Sequence, residues 1–128
     1  MTLIDTNILL TLLLVRPNLN KEYAVLDRYM TSGDVCIFAC QIRDVHYLLR
    51  RSGVDENKAR AILVNLMKPF VLFSNEPQDV VSALSSPVSD YEDAILAEGC
   101  KRMGVTSIYT ENAKDFALSG LKIIDALA

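Results

Sequence analysis

Four aspartates stand where apolar runs give way to a helix head or a loop. They are Asp5 in Leu3-Ile4-Asp5-Thr6-Asn7, Asp44 in Gln41-Ile42-Arg43-Asp44-Val45, Asp93 in Ser89-Asp90-Tyr91-Glu92-Asp93-Ala94, and Asp115 in Tyr109-Thr110-Glu111-Asn112-Ala113-Lys114-Asp115-Phe116. Carboxylates gathered in one cleft repel one another unless a cation sits among them. Hard oxygens without a paired His or Cys select Mg²⁺ or Mn²⁺. Such a site generates hydroxide, orients a phosphodiester and stabilises the leaving oxygen of an in-line displacement. The chemistry to expect is phosphate chemistry.

Singly, each acid has an ordinary structural reading. Asp5 caps the following helix, unless Thr6 does so and leaves it free. Asp44 is an exposed acid beside Arg43, and Asp115 a loop acid or cap. Asp90 complements a helix dipole. Asp93 lies deeper, directly before Ala94-Ile95-Leu96-Ala97, where solvation is poorer. Together the four carry the argument, because a parallel sheet brings those places to one edge. Asn7, Thr110 and Asn112 are candidates to orient the acids or reach the scissile phosphate, with Asp90 in support. Arg43 and Lys114, each near an acid, are the candidate phosphate contacts.

The elements that must position these groups follow from periodicity. Apolar segments at Thr2–Asp5, Val35–Ala39, Phe70–Phe73, Thr106–Tyr109 and Leu121–Ile124 read as five strands. Tyr23, Leu26, Tyr29 and Met30 suit one helix face ending near Gly33, and Ile42, Val45, Leu48 and Leu49 another ending at Gly53. Ala59, Ile62, Leu63, Leu66 and Met67 give a third helix, with Asp55 as N-cap and Pro69 as stop. A short helix is expected from Pro77 to about Ser85. Ser89 and Glu92 form a capping box for the next, which assigns Glu92 a structural task. Alternating strands and helices imply an α/β fold, a three-layer α/β/α sandwich around a mainly parallel five-stranded sheet, with helices in pairs after the second and third strands.

Bulk properties narrow the class. The 128 residues are expected to form a single domain, residues 1–128, and the 51% hydrophobic content argues for a packed core. A net charge of −3 and pI near 5.1 exclude a general polyanion binder, so nucleic-acid contact must rest on local basic residues, metal ions or a partner. The odd count of three cysteines, Cys36, Cys40 and Cys100, suggests buried free thiols in a reducing compartment, without zinc-like spacing. Ile8 to Val15 is too short to cross a bilayer and lacks a basic flank, so a cytoplasmic protein without membrane attachment is expected. His46, the only histidine, sits two residues past Asp44 and is turned away from it. The tyrosines and phenylalanines show no interleaved basic–aromatic pattern.

Ile4-Asp5-Thr6-Asn7-Ile8-Leu9, Asp90-Tyr91-Glu92-Asp93-Ala94 and Tyr109 to Phe116, in that order and spacing, resemble the acid motifs of the PIN-domain nucleases. The likeness runs over essentially the whole chain and is greatest to the small prokaryotic VapC-like toxins. It implies a PIN-like fold with Asp5, Asp44, Asp93 and Asp115 as catalytic, metal-binding acids. It also implies Mg²⁺- or Mn²⁺-dependent RNA cleavage leaving a 5′-phosphate and a 3′-hydroxyl, a homodimer, and inhibition by a cognate antitoxin. The family's second acid is usually Glu, and Asp44 reaches about one methylene less. Asn112 stands where some relatives carry another acid, which leaves Asp115 as the fourth member. The alternative is a catalytically weak PIN domain acting as an RNA- or protein-binding module. A haloacid-dehalogenase-like enzyme would need an acid where Asn7 stands, and a receiver domain an Asp near Phe73-Ser74-Asn75. No Gly-rich dinucleotide turn or Walker lysine is present.

Overall fold

The computed structural model describes residues 1–13, 28 and 31–127. Strand β1, Thr2–Ile4, passes into helix α1, Thr6–Leu13. Strand β2, Val35–Phe38, runs directly into α2, Ala39–Arg51, and α3, Glu56–Met67, follows. Then come β3 (Val71–Phe73), α4 (Pro77–Ala83), α5 (Tyr91–Met103) and β4 (Ser107–Thr110). A 3-10 turn over Ala113–Phe116 leads to β5, Lys122–Asp125. The expected helix through Tyr23, Leu26, Tyr29 and Met30 lies outside the described residues, apart from helical residues just before Gly33.

The strand order is β3-β2-β1-β4-β5 and every pairing is parallel, so the expected "mainly parallel" sheet is wholly parallel. Successive strand side chains point to opposite faces, and two cores result. Ile4, Ile37 and Tyr109 face one core with Leu9 of α1, Val45 and Leu49 of α2, and Leu63 of α3. Leu3, Cys36, Phe38 and Ile108 face the other with Leu96 and Cys100 of α5. Three layers follow. Helices fall in pairs after β2 and after β3, as expected, and strand ends differ from expectation by one residue.

Local chemistry explains the boundaries. Asp55 caps α3 by accepting the Lys58 N–H at 2.9 Å, and the helix stops ahead of Pro69. Gly104 closes α5 at φ 72°, a left-handed conformation that glycine adopts without steric cost. Buried Asp79 of α4 is held by Arg102 of α5 at 3.0 Å, which clamps the helix pair. Cys36 and Cys100 are buried and free, and burial pushes the Cys36 thiol up to about 12 and Cys100 higher still. They are inert packing groups. No helix among the described residues is long and apolar enough to cross a membrane.

Gly99 sets how closely α5 approaches the sheet. A Cβ there would lie 2.6 Å from Asn75 Nδ2 and 2.7 Å from Cε1 of the fully buried Phe38 ring. Alanine gains about 1 kcal/mol of helix propensity, but overpacking against a core ring costs about 1–3 kcal/mol. Gly99→Ala is therefore expected to lower the urea midpoint of unfolding, and an unchanged or raised midpoint would contradict this packing.

Candidate active site

The chain runs outward from β1 through β2 to β3, then returns to place β4 on the other side of β1. In open α/β sheets the crevice beyond the carboxyl ends of the strands at such a reversal is where ligands bind. Asp5 follows β1 and Thr110 ends β4 at this crevice, and the Asp5 N–H donates to the Tyr109 carbonyl at 3.0 Å.

Asp5 is buried and both carboxylate oxygens accept hydrogen bonds: Oδ1 from the Thr6 N–H at 2.7 Å and Oδ2 from the Thr110 hydroxyl at 2.7 Å. Thr110 Oγ1 in turn accepts the Asn112 N–H at 2.9 Å, so its own proton is left for Asp5. The Asp5 carbonyl accepts the N–H groups of Ile8 and Leu9 and starts α1. Capping and orientation are therefore one arrangement, and the Thr6 hydroxyl does not cap. It accepts instead from Gln41 Nε2 at 3.3 Å. Burial raises the Asp5 pKa, the bonds from Thr110 and Thr6 oppose that, and Asp115 and Glu111 add to it.

Asp93 enters from α5. The expected capping box of Ser89 and Glu92 is corrected: Asp90 is the N-cap, accepting the Asp93 N–H at 2.9 Å, and Glu92 is left facing the cleft. The helix begins one residue later than the Ser89 pattern required, because Asp90 offers the stronger, charged acceptor. Burial, then the charges of Asp90, Asp5, Asp115 and Glu92, push the Asp93 carboxyl up to about 7.

One cleft of about 480 Å³ is lined by Asp5, Asp44, Asp93 and Asp115 together with Asn7 and Asn112. Asp44 comes from α2, and Asp115 from the 3-10 turn. Asp90, Glu92 and Arg43 line the cleft as well. Lys114 is exposed and is not among the residues lining the cleft, whereas Asp115 beside it is. His46 pairs with Glu56 at 2.9 Å, away from the acids.

Sequence reading missed three residues. Gln41 is fully buried and straps the two strand ends together, accepting the Phe38 N–H at 2.7 Å and donating to the Ile4 carbonyl at 2.8 Å. Its signal was a polar residue on the buried stripe of Val45 and Leu49. Glu92 was assigned to capping. Tyr47 lines the cleft as well, and a lone tyrosine one helical turn after Arg43 carries no interleaved pattern to mark it.

Among the described residues no three His, Cys, Asp or Glu side chains form a closed metal-ligand cluster. The donor set nonetheless fits a divalent cation. Six carboxylates line the cleft against one guanidinium, Arg43. Burial first, and then the charges of neighbouring acids, raise the Asp5 and Asp93 pKa values, and that charge crowding is the condition a hard cation relieves.

A family model described as PIN domain (PIN_3) matches residues 1–114, ending one residue short of Asp115. No curated protein matches the sequence. The fold is similar to that of a DNA-bound VapBC from Salmonella typhimurium, 18% identical, with a TM-score of 0.71 over 98% of this chain and 97% of that one. It is also similar to VapBC2 from Rickettsia felis bound to a promoter DNA fragment, 13% identical, with a TM-score of 0.76 over 97% of each chain. A Pyrobaculum aerophilum protein, 19% identical, gives 0.67 over 98% of this chain and 89% of its own. At these identities the likeness is one of fold.

Proposed function

The chain belongs to the PIN-domain family, and from that premise we propose that it is a Mg²⁺- or Mn²⁺-dependent endoribonuclease, the toxin of a type II toxin–antitoxin module. The observation that carries the reading is the meeting of Asp5, Asp44, Asp93 and Asp115, from four separate stretches of chain, in one crevice at the β1/β4 reversal. The similarity to VapBC structures supports an antitoxin partner, and a homodimer rests on the resemblance of the acid motifs to the PIN-domain nucleases alone.

In this reading Asp5, Asp93 and Asp115 hold the ion, with Asp44 reaching from α2. A divalent ion there supplies an activated water and neutralises charge on the phosphate. Thr110 and the Thr6 N–H keep the Asp5 carboxylate oriented, so little reorganisation is needed when substrate arrives. Gln41 keeps the β1 and β2 ends at fixed spacing, which sets the reach from Asp5 to Asp44.

The test is incubation of purified protein with a panel of structured and single-stranded RNAs in Mg²⁺ or Mn²⁺, with Asp5→Ala as control. Cleavage is expected for the parent alone. Cleavage that survives Asp5→Ala would end the assignment. Metal and RNA binding without turnover would favour a binding module, a reading to which the short arm of Asp44 lends itself.

A further inference from the structure

The cleft is poorly suited to holding a polyanion by charge alone. Its lining is dominated by carboxylates, and the whole chain carries a net charge of −3. Part of the attraction beyond that of bound metal must therefore come from contacts indifferent to the sign of the surface. Base stacking is such a contact, because every base has an apolar face.

One aromatic side chain at the cleft is available for it. Tyr47 lines the cleft and is 61% exposed. Among the described residues it makes no hydrogen bond or ring contact. Tyr91 is tied down by its hydroxyl, which donates to the Val80 carbonyl at 3.0 Å, and Tyr109 is buried in the core. A ring exposed to this extent contributes less to folding than a buried one. What sets it apart from the other exposed rings is its place on the cleft wall.

Arg43 precedes Tyr47 by one helical turn, so the two side chains share a face of α2. The Arg43 side chain is 81% exposed, and its nearest acid, Asp44, is 3.9 Å away, beyond hydrogen-bond distance. Arg50, the next basic residue along this face, is occupied: it meets Glu56 at 3.4 Å and donates to the Val54 carbonyl at 3.1 Å. The guanidinium at the cleft with donors to spare is that of Arg43.

We propose that Tyr47 and Arg43 form a nucleotide grip at the cleft mouth, the tyrosine ring stacking on an unpaired base and the guanidinium taking an adjacent phosphate. The substrate is then a single-stranded segment of RNA, since a paired base offers no free face. This rests on the ribonuclease reading and adds to it where the strand lies and what holds it.

The experiment is fluorescence anisotropy of a labelled single-stranded RNA, using Asp93→Asn protein so that nothing is cut, at low and at high salt. Adding Tyr47→Ala is expected to weaken binding by about tenfold at both salts, within the range for one lost base stack. Adding Tyr47→Phe should restore affinity, because stacking needs the ring and not the hydroxyl. Adding Arg43→Ala should weaken binding mainly at low salt and reduce the salt slope by about 0.7, as for one phosphate contact on a single strand. Thermal melting of the Tyr47 variants should match the parent.

The grip is overturned if Tyr47→Ala binds as the parent does, or if Tyr47→Phe is as weak as Tyr47→Ala. It is overturned equally if a fully paired RNA of the same sequence binds as tightly. Wild-type protein that cleaves no RNA in Mg²⁺ or Mn²⁺ would defeat the ribonuclease reading and the grip with it. RNA binding with no effect of Tyr47 would defeat the grip alone.

Discussion

Asp93→Asn is expected to abolish metal-dependent RNA cleavage while making the metal-free protein more stable at neutral and mildly alkaline pH. The two effects share one cause. The folded protein holds the Asp93 proton up to about pH 7, whereas the unfolded chain releases it near 3.8. Between those values the folded state binds more protons, so stability falls as pH rises, and the penalty is complete above about 7. An amide at this position never carries the charge. The half-buried setting of Asp93 limits the gain to about 1–2 kcal/mol after solvent screening. Removing a carboxylate from the ion's ligands should cost at least about 10²–10³-fold in rate, as loss of one preorganised electrostatic group does elsewhere. Melting curves without metal across a pH series, beside cleavage assays, check both. A variant that loses activity and also melts lower above neutrality would show that Asp93 is structurally required rather than held under strain for function.

The intact protein should melt at a higher temperature with Mn²⁺ or Mg²⁺ than with a chelator, and that increase should shrink as the buffer is made more acidic. An ion that binds only the folded state stabilises it by mass action, about 2.7 kcal/mol at about a hundred times its dissociation constant. Its ligands must be ionised, so affinity falls once the pH drops below the Asp93 value of about 7. The increase should vanish in Asp5→Ala, whose carboxylate is the most buried of the four. Equal metal-induced increases in wild type and Asp5→Ala would place the ion elsewhere, and the acids would need another explanation. Removing metal should also stop cleavage, with activity recovered when Mn²⁺ is restored.

Much of the arrangement was legible in the amino-acid order because it depends on local chemistry. Short apolar runs alternating with amphipathic stretches indicate a parallel sheet wrapped by helices, since such strands are buried on both faces. Asp55 capping α3 and Pro77 opening α4 are choices made within a few residues. Where two local options competed, sequence reasoning chose wrongly: Ser89 and Asp90 both suit a helix start, and the carboxylate prevailed. Lys114, exposed and outside the cleft lining, shows another limit of reading proximity from chain order. Adjacency to an acid in the chain does not survive a 3-10 turn, which aims neighbouring side chains in different directions.

The acids, their order and their suitability for a hard cation are properties of the chain itself, because residue type and proximity to strand ends do not depend on how helices dock. What the tertiary structure alone decided is the electrostatic state of those acids and the company they keep. The pKa of Asp93 depends first on the exclusion of water by packing, then on the neighbouring Asp90 and on Asp5 and Asp115 from other stretches of chain. Gln41 joins β1 to α2, and Thr110 orients Asp5 across 105 residues of chain, contacts that no periodicity encodes. Burial and long-range distance are outcomes of the whole fold, so these features become readable only once the strands have taken their places.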